Sequence, residues 1–335
     1  MLVALDANIW ISERMLRSAL GAALLYALHQ TQGKILLPDP IQKEVIAHIS
    51  KIGCDAVKEL EQNFVTIQTL VGKKPNYSPP LAKDFEDQAH RRFVELNDFL
   101  DRVECNLNHY QLAVKRAISK QPPNATREQY RDSLLWEVVV EYSRVKKVHF
   151  ITNDADFFQD KSFSKGLHKA LKAELQDPDD DVVVYQNLAE FLKKINESIA
   201  HPNYDEISIS IHEEIFEQVR SYYAAREWRL GEMKRYKIDA FLTENKTKLA
   251  LNFTLTYSIY DVTQSNKATI SEAELRVAGD SFYSLREEGL LNAILDKMVC
   301  YTLDGEKIEE INYISARTPD IHIPYKLRYK LEPLQ

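Results

Sequence analysis

Glycine is scarce in this chain. Only 9 of 335 residues are Gly, and neither G-x-G-x-x-G nor G-x-x-x-x-G-K-[ST] occurs. A nucleotide-cradling phosphate loop needs that backbone freedom, so this class of site is excluded. Cysteine is rarer still. Cys54, Cys105 and Cys300 lie far apart and are odd in number, which fits reduced thiols and not a disulfide frame or a thiolate zinc site. No apolar run reaches the roughly 18 residues of a membrane span; the patch at Ala19–Ala27 is short and Ala-rich. The first residues show no charged region followed by an apolar signal segment, so a cytoplasmic protein without a membrane partner is expected. Positive charge is not in excess either. The 43 Lys+Arg face 50 Asp+Glu, a net charge of −7. Residues 1–200 hold 26 basic against 28 acidic side chains and the remainder 17 against 22. That is not the balance of a tight nucleic-acid binder, although acidic metal sites lower net charge and basic patches can be local.

What is present is material for two domains. Hydrophobic residues make up 44% of the chain, enough for real cores. His201-Pro202-Asn203-Tyr204 reads as a linker, with one domain over 1–200 and another over 205–335. Two stretches of the first domain share one design. Val148, Phe150 and Ile151 read as a short buried strand that stops at Thr152-Asn153-Asp154-Ala155-Asp156. Leu2-Val3-Ala4-Leu5 is another, ending in Asp6-Ala7-Asn8. Turn capping explains either one alone. Together they deliver two carboxylates to strand carboxyl ends, where open parallel sheets place their chemistry. Side by side, Asp6 and Asp154 would repel each other, and a hard divalent cation such as Mg²⁺ resolves that conflict with oxygen ligands.

Between these strands the pattern is mostly helical. Residues 12–30 read as a helix capped by Ser12. Lys34–Leu37 is a strand, Pro38-Asp39-Pro40 a turn, and a helix begins at Ile41, placing Glu44 near its start. A lone Glu there is ordinarily a solvated residue favoured by the helix dipole; its position after strand and turn is what singles it out. Residues 55–120 read as helical around a Pro-rich loop at 72–80, with Phe85, Ala89, Phe93, Leu96, Leu100 and Val103 on one face. Arg91-Arg92 and Lys115-Arg116 are local basic clusters that can touch a phosphate backbone, as can Arg131; a solvated face is the competing reading. Thr126-Arg127-Glu128-Gln129 has the capping-box pattern. On the helix that follows, Asp132 shares the apolar face of Leu135, Trp136, Val139 and Val140, whereas Glu137 reads as solvated. A short helix or loop at 161–175, a strand at Val182–Tyr185 and a helix at Leu188–Ile199 complete an alternating pattern that implies a parallel sheet wrapped by helices.

The second domain reads as α+β with antiparallel strands. Ile207, Ile209 and Ile211 alternate. A helix is expected over 212–230, strands over 236–242, 249–260, 268–279 and 308–332, and a further helix over 286–298. Arg229, Lys234, Arg235 and Lys237 beside Trp228 and Tyr236 are a further nucleic-acid candidate, weighed against an ordinary surface.

Leu-Asp-Ala-Asn at the start, a Glu after a strand–Pro turn, an Asp early on a later helix and a strand ending Ile-Thr-Asn-Asp-Ala-Asp-Phe together resemble the PIN-domain superfamily of metal-dependent nucleases. The resemblance covers about residues 1–200. It implies that Asp6, Glu44, Asp132 and Asp154 are the catalytic carboxylates and hold one or two Mg²⁺ or Mn²⁺ ions, with Asn8, Thr152 and Asp156 in support. The Glu44–Asp132 span is longer than in compact members, so a helical insertion over about 50–125 is expected, as in larger bacterial members with an appended C-terminal domain. Single-stranded RNA is the substrate the resemblance favours, cut by endonucleolytic water attack. A stress or phage-defence role, a regulatory protein and a homodimer follow by analogy. Two other readings compete: a non-catalytic scaffold that binds RNA or protein, and a metal-dependent phosphatase. The phosphatase wants a second Asp two positions after the first, where this chain has Asn8.

Overall fold

The computed structural model describes residues 1–72, 78–124, 130–178, 180–195, 203–225, 227–261 and 272–312. The chain divides into two compact units, Met1–Met15 with Leu28–Phe191 and Leu16–Ala27 with Leu192–Gln335.

The first unit is built on a five-stranded sheet of β1 (Leu2–Leu5), β2 (Lys34–Pro38), β3 (Leu100–Val103), β4 (Val148–Ile151) and β5 (Val182–Tyr185). Its order is β3-β2-β1-β4-β5 and every pairing is parallel. The central strands are short, apolar and buried on both faces, as strands of a helix-covered parallel sheet should be. Its helices are α1 (Ala7–Ser12), the end of α2 (Ala19–Thr31, which crosses the division at Ala27), α3 (Asp39–Val71), α4 (Ala82–Glu95), α5 (Leu107–Ile118), α6 (Tyr130–Ser143), α7 (Lys169–Lys172) and the start of α8 (Leu188–Ile195, which crosses the division at Phe191). Among the described residues no helix is long and apolar enough to cross a membrane.

Several expectations are corrected here. Residues 12–30 are not one helix capped by Ser12. Ser12 closes α1, its hydroxyl donating to Ile9 O at 3.2 Å. Arg14, Met15 and Leu16 then adopt consecutive left-handed φ angles of 50°, 55° and 61° before α2. The helix expected at Ile41 starts at Asp39, with Pro40 in its first turn, and runs 33 residues to Gly72, whose φ of 74° makes it a left-handed C-cap. The insertion is not wholly helical: Leu100 and Val103 belong to edge strand β3, although they continue the helical spacing of Phe93 and Leu96. The capping box at Thr126–Gln129 and most of the loop at 73–77 lie outside the described residues.

The second unit holds α9 (Tyr204–Ala224) and an antiparallel meander of β6 (Trp228–Leu242), β7 (Lys248–Asp261), β8 (Glu272–Ser284), β9 (Gly289–Thr302) and β10 (Lys307–Asn312). Ile207, Ile211, Ile215, Val219 and Tyr223 form one buried stripe of α9 against Leu251, Phe253, Leu255, Tyr257, Leu275 and Val277. The helix therefore starts earlier than position 212 and ends before 230. Ile209, the middle member of the apparent alternation, is 52% exposed, so the four-residue spacing describes this segment and the two-residue spacing does not. The helix expected over 286–298 is strand β9 instead. Asn292 has a φ of 60°, and the β8–β9 register shifts twice, so bulges break the alternation that marks a strand. The strand expected at 308–332 is β10 as far as Asn312; the rest lies outside the described residues.

Candidate active site

Strand β1 is the point where the topology reverses. Its neighbours are β2 on one side and β4 on the other, so the chains leaving β1 and β4 part and open a crevice at the carboxyl end of the sheet. Asp6 is the first residue after β1, and its N–H continues the ladder by donating to Ile151 O at 3.1 Å. Its carboxyl is 1% exposed. Thr152, the first residue after β4 and fully buried, donates from Oγ1 to Asp6 Oδ2 at 2.8 Å. The same hydroxyl oxygen accepts the Asp154 N–H at 3.0 Å, and Asp154 Oδ1 accepts the Asp156 N–H at 2.9 Å. One threonine thus ties the ends of both strands together and fixes the loop that carries Asp154.

Glu44 and Asp132 come from helices. Glu44 sits in the second turn of α3, the helix that follows β2. Its Oε1 meets an Arg131 guanidinium nitrogen at 3.2 Å, and its buried Oε2 has no hydrogen-bond partner among the described residues. Asp132 stands at the described beginning of α6. Burial raises the pKa of its carboxyl to about 8, helped by the charges of Asp6, Asp154 and Glu44 and opposed by Arg131. Asp6 is raised to about 6, first by burial and further by Asp154 and Glu44, while the Thr152 hydroxyl and the Asn8 backbone N–H work against the rise. The four predicted carboxylates are therefore within electrostatic reach of one another.

They are not drawn up as a finished metal centre. Among the described residues, no group of three or more His, Cys, Asp or Glu side chains converges tightly enough to hold a metal ion. The donor set nevertheless fits a hard divalent cation. It is all carboxylate oxygen, one of those oxygens is orphaned, and two of the acids are held above their ordinary range, first by burial and then by one another's charge.

The supporting residues divide. Thr152 is at the heart of the site. Asn8 lies on α1 with its side chain exposed. Asp156 turns its carboxylate to Lys161 at 2.6 Å and contributes its backbone N–H to the Asp154 loop. Among the basic candidates, Arg91 and Lys115 are exposed, and Arg131 borders the crevice. Arg92 and Arg116 do not face solvent. Arg92 is 2% exposed and donates to Met15 O and Glu95. Arg116 is 5% exposed and donates to Glu137, Glu174 and Pro122 O. Buried and paired, neither can meet a phosphate.

Glu137 is corrected with them. It is 8% exposed, and its pairing with Arg116 at 2.7 Å fastens α6 to α5. Trp136 Nε1 donates to Glu174 at 2.8 Å in the same network. This brace holds the helix that presents Asp132, and sequence reading missed it. The available signal was Glu137 directly following Trp136 on a helix with no charged face until Glu141.

No curated protein and no solved structure is matched by the chain. Residues 3–157 match the family model described as a PIN domain, a span that opens on β1 and closes just past Asp156. Over that stretch the chain is similar to PIN domains, which are commonly nucleases.

Proposed function

We propose that the first unit is a divalent-metal-dependent endonuclease that hydrolyses phosphodiester bonds in single-stranded RNA. The observation that carries this reading is the electrostatic coupling of Asp6, Glu44, Asp132 and Asp154, four acids from separate segments around the crevice at β1 and β4. Those four would hold Mg²⁺ or Mn²⁺, which supplies activation of water and stabilisation of charge developing on the scissile phosphate. The chain's own part is positional. Thr152 orients Asp6 and immobilises the Asp154 loop, and the Arg116–Glu137–Glu174 network steadies α6 beneath Asp132. Arg131, 58% exposed at the rim, offers a guanidinium to a non-bridging phosphate oxygen once Glu44 turns to a cation. Asp132 carries a proton at neutral pH in the metal-free protein and gives it up on cation binding.

The test is cleavage of end-labelled single-stranded RNA and DNA with Mn²⁺, with Mg²⁺ and with EDTA, wild type beside Asp6→Asn/Asp154→Asn. Metal-dependent RNA cutting that vanishes in the double variant supports the reading. The spacing of the carboxylates favours one rival, a non-catalytic scaffold. Absence of cutting in every condition, with RNA still bound, would establish that rival.

A further inference from the structure

The outer face of the antiparallel sheet in the second unit gathers cations from four of its five strands around a shallow depression. Side chains alternate along a strand. On β6, Ile238 and Ala240 pack towards the α9 core and Tyr236 reaches Asp205 of α9. Arg235, Lys237 and Asp239 consequently take the other face, opposite Thr256, Thr254 and Asn252 of β7. Arg276 of β8 lies across from Thr256, Lys297 of β9 across from Ala278, and Lys307 of β10 across from Tyr301.

Two carboxylates serve four of these cations. Glu274 accepts from Arg235 at 2.8 and 2.9 Å and from Arg276 at 2.7 Å. Glu310 pairs with Lys297 at 2.5 Å and with Lys307 at 2.7 Å. Each shared carboxylate leaves one positive charge unmatched, and Lys237, which has no ion pair among the described residues, adds another. The pairs Lys234–Glu272 and Lys193–Asp239 at the margins cancel. Arg235, Tyr236, Lys237, Thr254, Thr256 and Arg276 surround a shallow depression of about 420 Å³. The Arg276 guanidinium lies 4.4 Å from the centre of the Tyr301 ring. With strands about 4.8 Å apart, the cations from β6 to β10 span roughly 19 Å.

We propose that this face binds single-stranded RNA. Charge complementarity selects a polyanion. A broad, shallow sheet surface with cations and a stacked Arg–Tyr pair suits an extended strand with splayed bases; it offers no projecting element to enter a duplex groove. RNA in place of DNA rests on the reading of the first unit as an RNA nuclease, and the half-buried Thr254 hydroxyl beside the depression can meet a ribose 2′-hydroxyl.

The experiment is fluorescence anisotropy of the full chain in EDTA with labelled oligouridine and its deoxy counterpart over a series of salt concentrations. Arg235→Gln/Lys237→Gln/Arg276→Gln is expected to weaken RNA binding at least tenfold. It should also flatten the slope of log K against log salt by about 2, the loss for three contacts to a single strand. Lys237→Glu alone changes an exposed residue that holds nothing in place, and is expected to weaken binding several-fold with an unchanged melting temperature. Wild-type affinity and slope in both variants overturn the proposal. Equal affinity for the deoxy strand overturns its assignment to RNA. The two readings fail separately: metal-dependent cleavage with variant binding unchanged rejects only the sheet face. Binding that depends on the face, without cleavage in any metal, rejects only the nuclease.

Discussion

Thr152 Oγ1 lies 2.8 Å from Asp6 Oδ2 and at the same time 3.0 Å from the Asp154 amide nitrogen, so one side chain serves both acids of the crevice. Thr152→Val keeps the shape and removes both bonds. The buried Asp6 carboxylate then loses its side-chain donor, keeping only the Asn8 backbone N–H, and the Asp154 amide loses its acceptor. The expected cost is about 1–3 kcal/mol of stability and about 10–100-fold in metal-dependent cleavage, as for lost outer-shell partners of metal ligands. Thr152→Ser should retain most of both. Urea melts and single-turnover cleavage read this out; wild-type cleavage by Thr152→Val would remove Thr152 from the site.

The raised acids make the metal-free protein sensitive to alkali. Asp132, at about 8, and Asp6, at about 6, both bind protons more tightly folded than at their ordinary value of 3.8. The folded state therefore holds more protons than the unfolded chain above about pH 4. Their contribution is fully present below that point. It is lost as pH rises, through about 6 for Asp6 and about 8 for Asp132, at up to about 1.4 kcal/mol per pH unit for each group. In EDTA the urea midpoint should fall from pH 5 to pH 8, and Asp132→Asn should flatten the upper part of that decline. A midpoint that rises over this range in EDTA, with wild type and variant parallel, contradicts the coupling.

Cation binding should reverse that loss. At pH 8, Mn²⁺ or Mg²⁺ at about 100 times its Kd stabilises by about 2.7 kcal/mol, if only the folded state binds. Calorimetric melts of wild type with and without metal, beside Asp6→Asn/Asp154→Asn, measure this. The expected pattern is a metal-dependent rise in Tm for wild type and none for the variant. Equal rises in both would place the cation elsewhere.

Arg116 and Arg91 look alike as members of basic pairs but should behave differently. Arg116→Ala strands Glu137 in the interior, unpairs the more exposed Glu174, and is expected to cost about 3–5 kcal/mol. Arg91→Ala, at an exposed position on α4, should stay within about 0.5 kcal/mol of wild type. Denaturant melts of the two variants decide it. A near-neutral Arg116→Ala would mean that the α5–α6 brace is not what holds Asp132 in place.

Gly21 faces the left-handed turn. A Cβ on Gly21 would lie 2.5 Å from Leu16 Cα, where backbone must give way. Gly21→Ala is accordingly expected to destabilise by about 1–3 kcal/mol. Leu16→Gly would relieve the φ of 61° but forfeit a buried side chain, so its melt should also fall. A stabilised Gly21→Ala would show that the turn at Arg14–Leu16 yields at little cost.

Local chemistry alone determined a good deal of this protein. Leu2–Leu5 and Val148–Ile151 are short apolar runs that each end in an acid, and a buried parallel strand is what such a run forms. The order of Asp6 after a strand, Glu44 and Asp132 on helices and Asp154 after a strand was legible for the same reason, and the resemblance to PIN domains that it carries agrees with the family match over residues 3–157. What tertiary structure decided was environment. Leu100–Val103 carries helical spacing from its neighbours, yet pairing with β2 makes it a strand. The apolar residues of Gly289–Thr302 fit either period, and hydrogen bonding to β8 and β10 settles the matter through bulges that hide the alternation. Arg92, Arg116 and Glu137 have the same composition as any solvated charge. Only the packing of α4, α5 and α6 turns them inward, because burying an ion costs several kcal/mol unless a partner from another segment meets it. Sequence states which groups can carry charge; the fold decides which of them face water and which face each other.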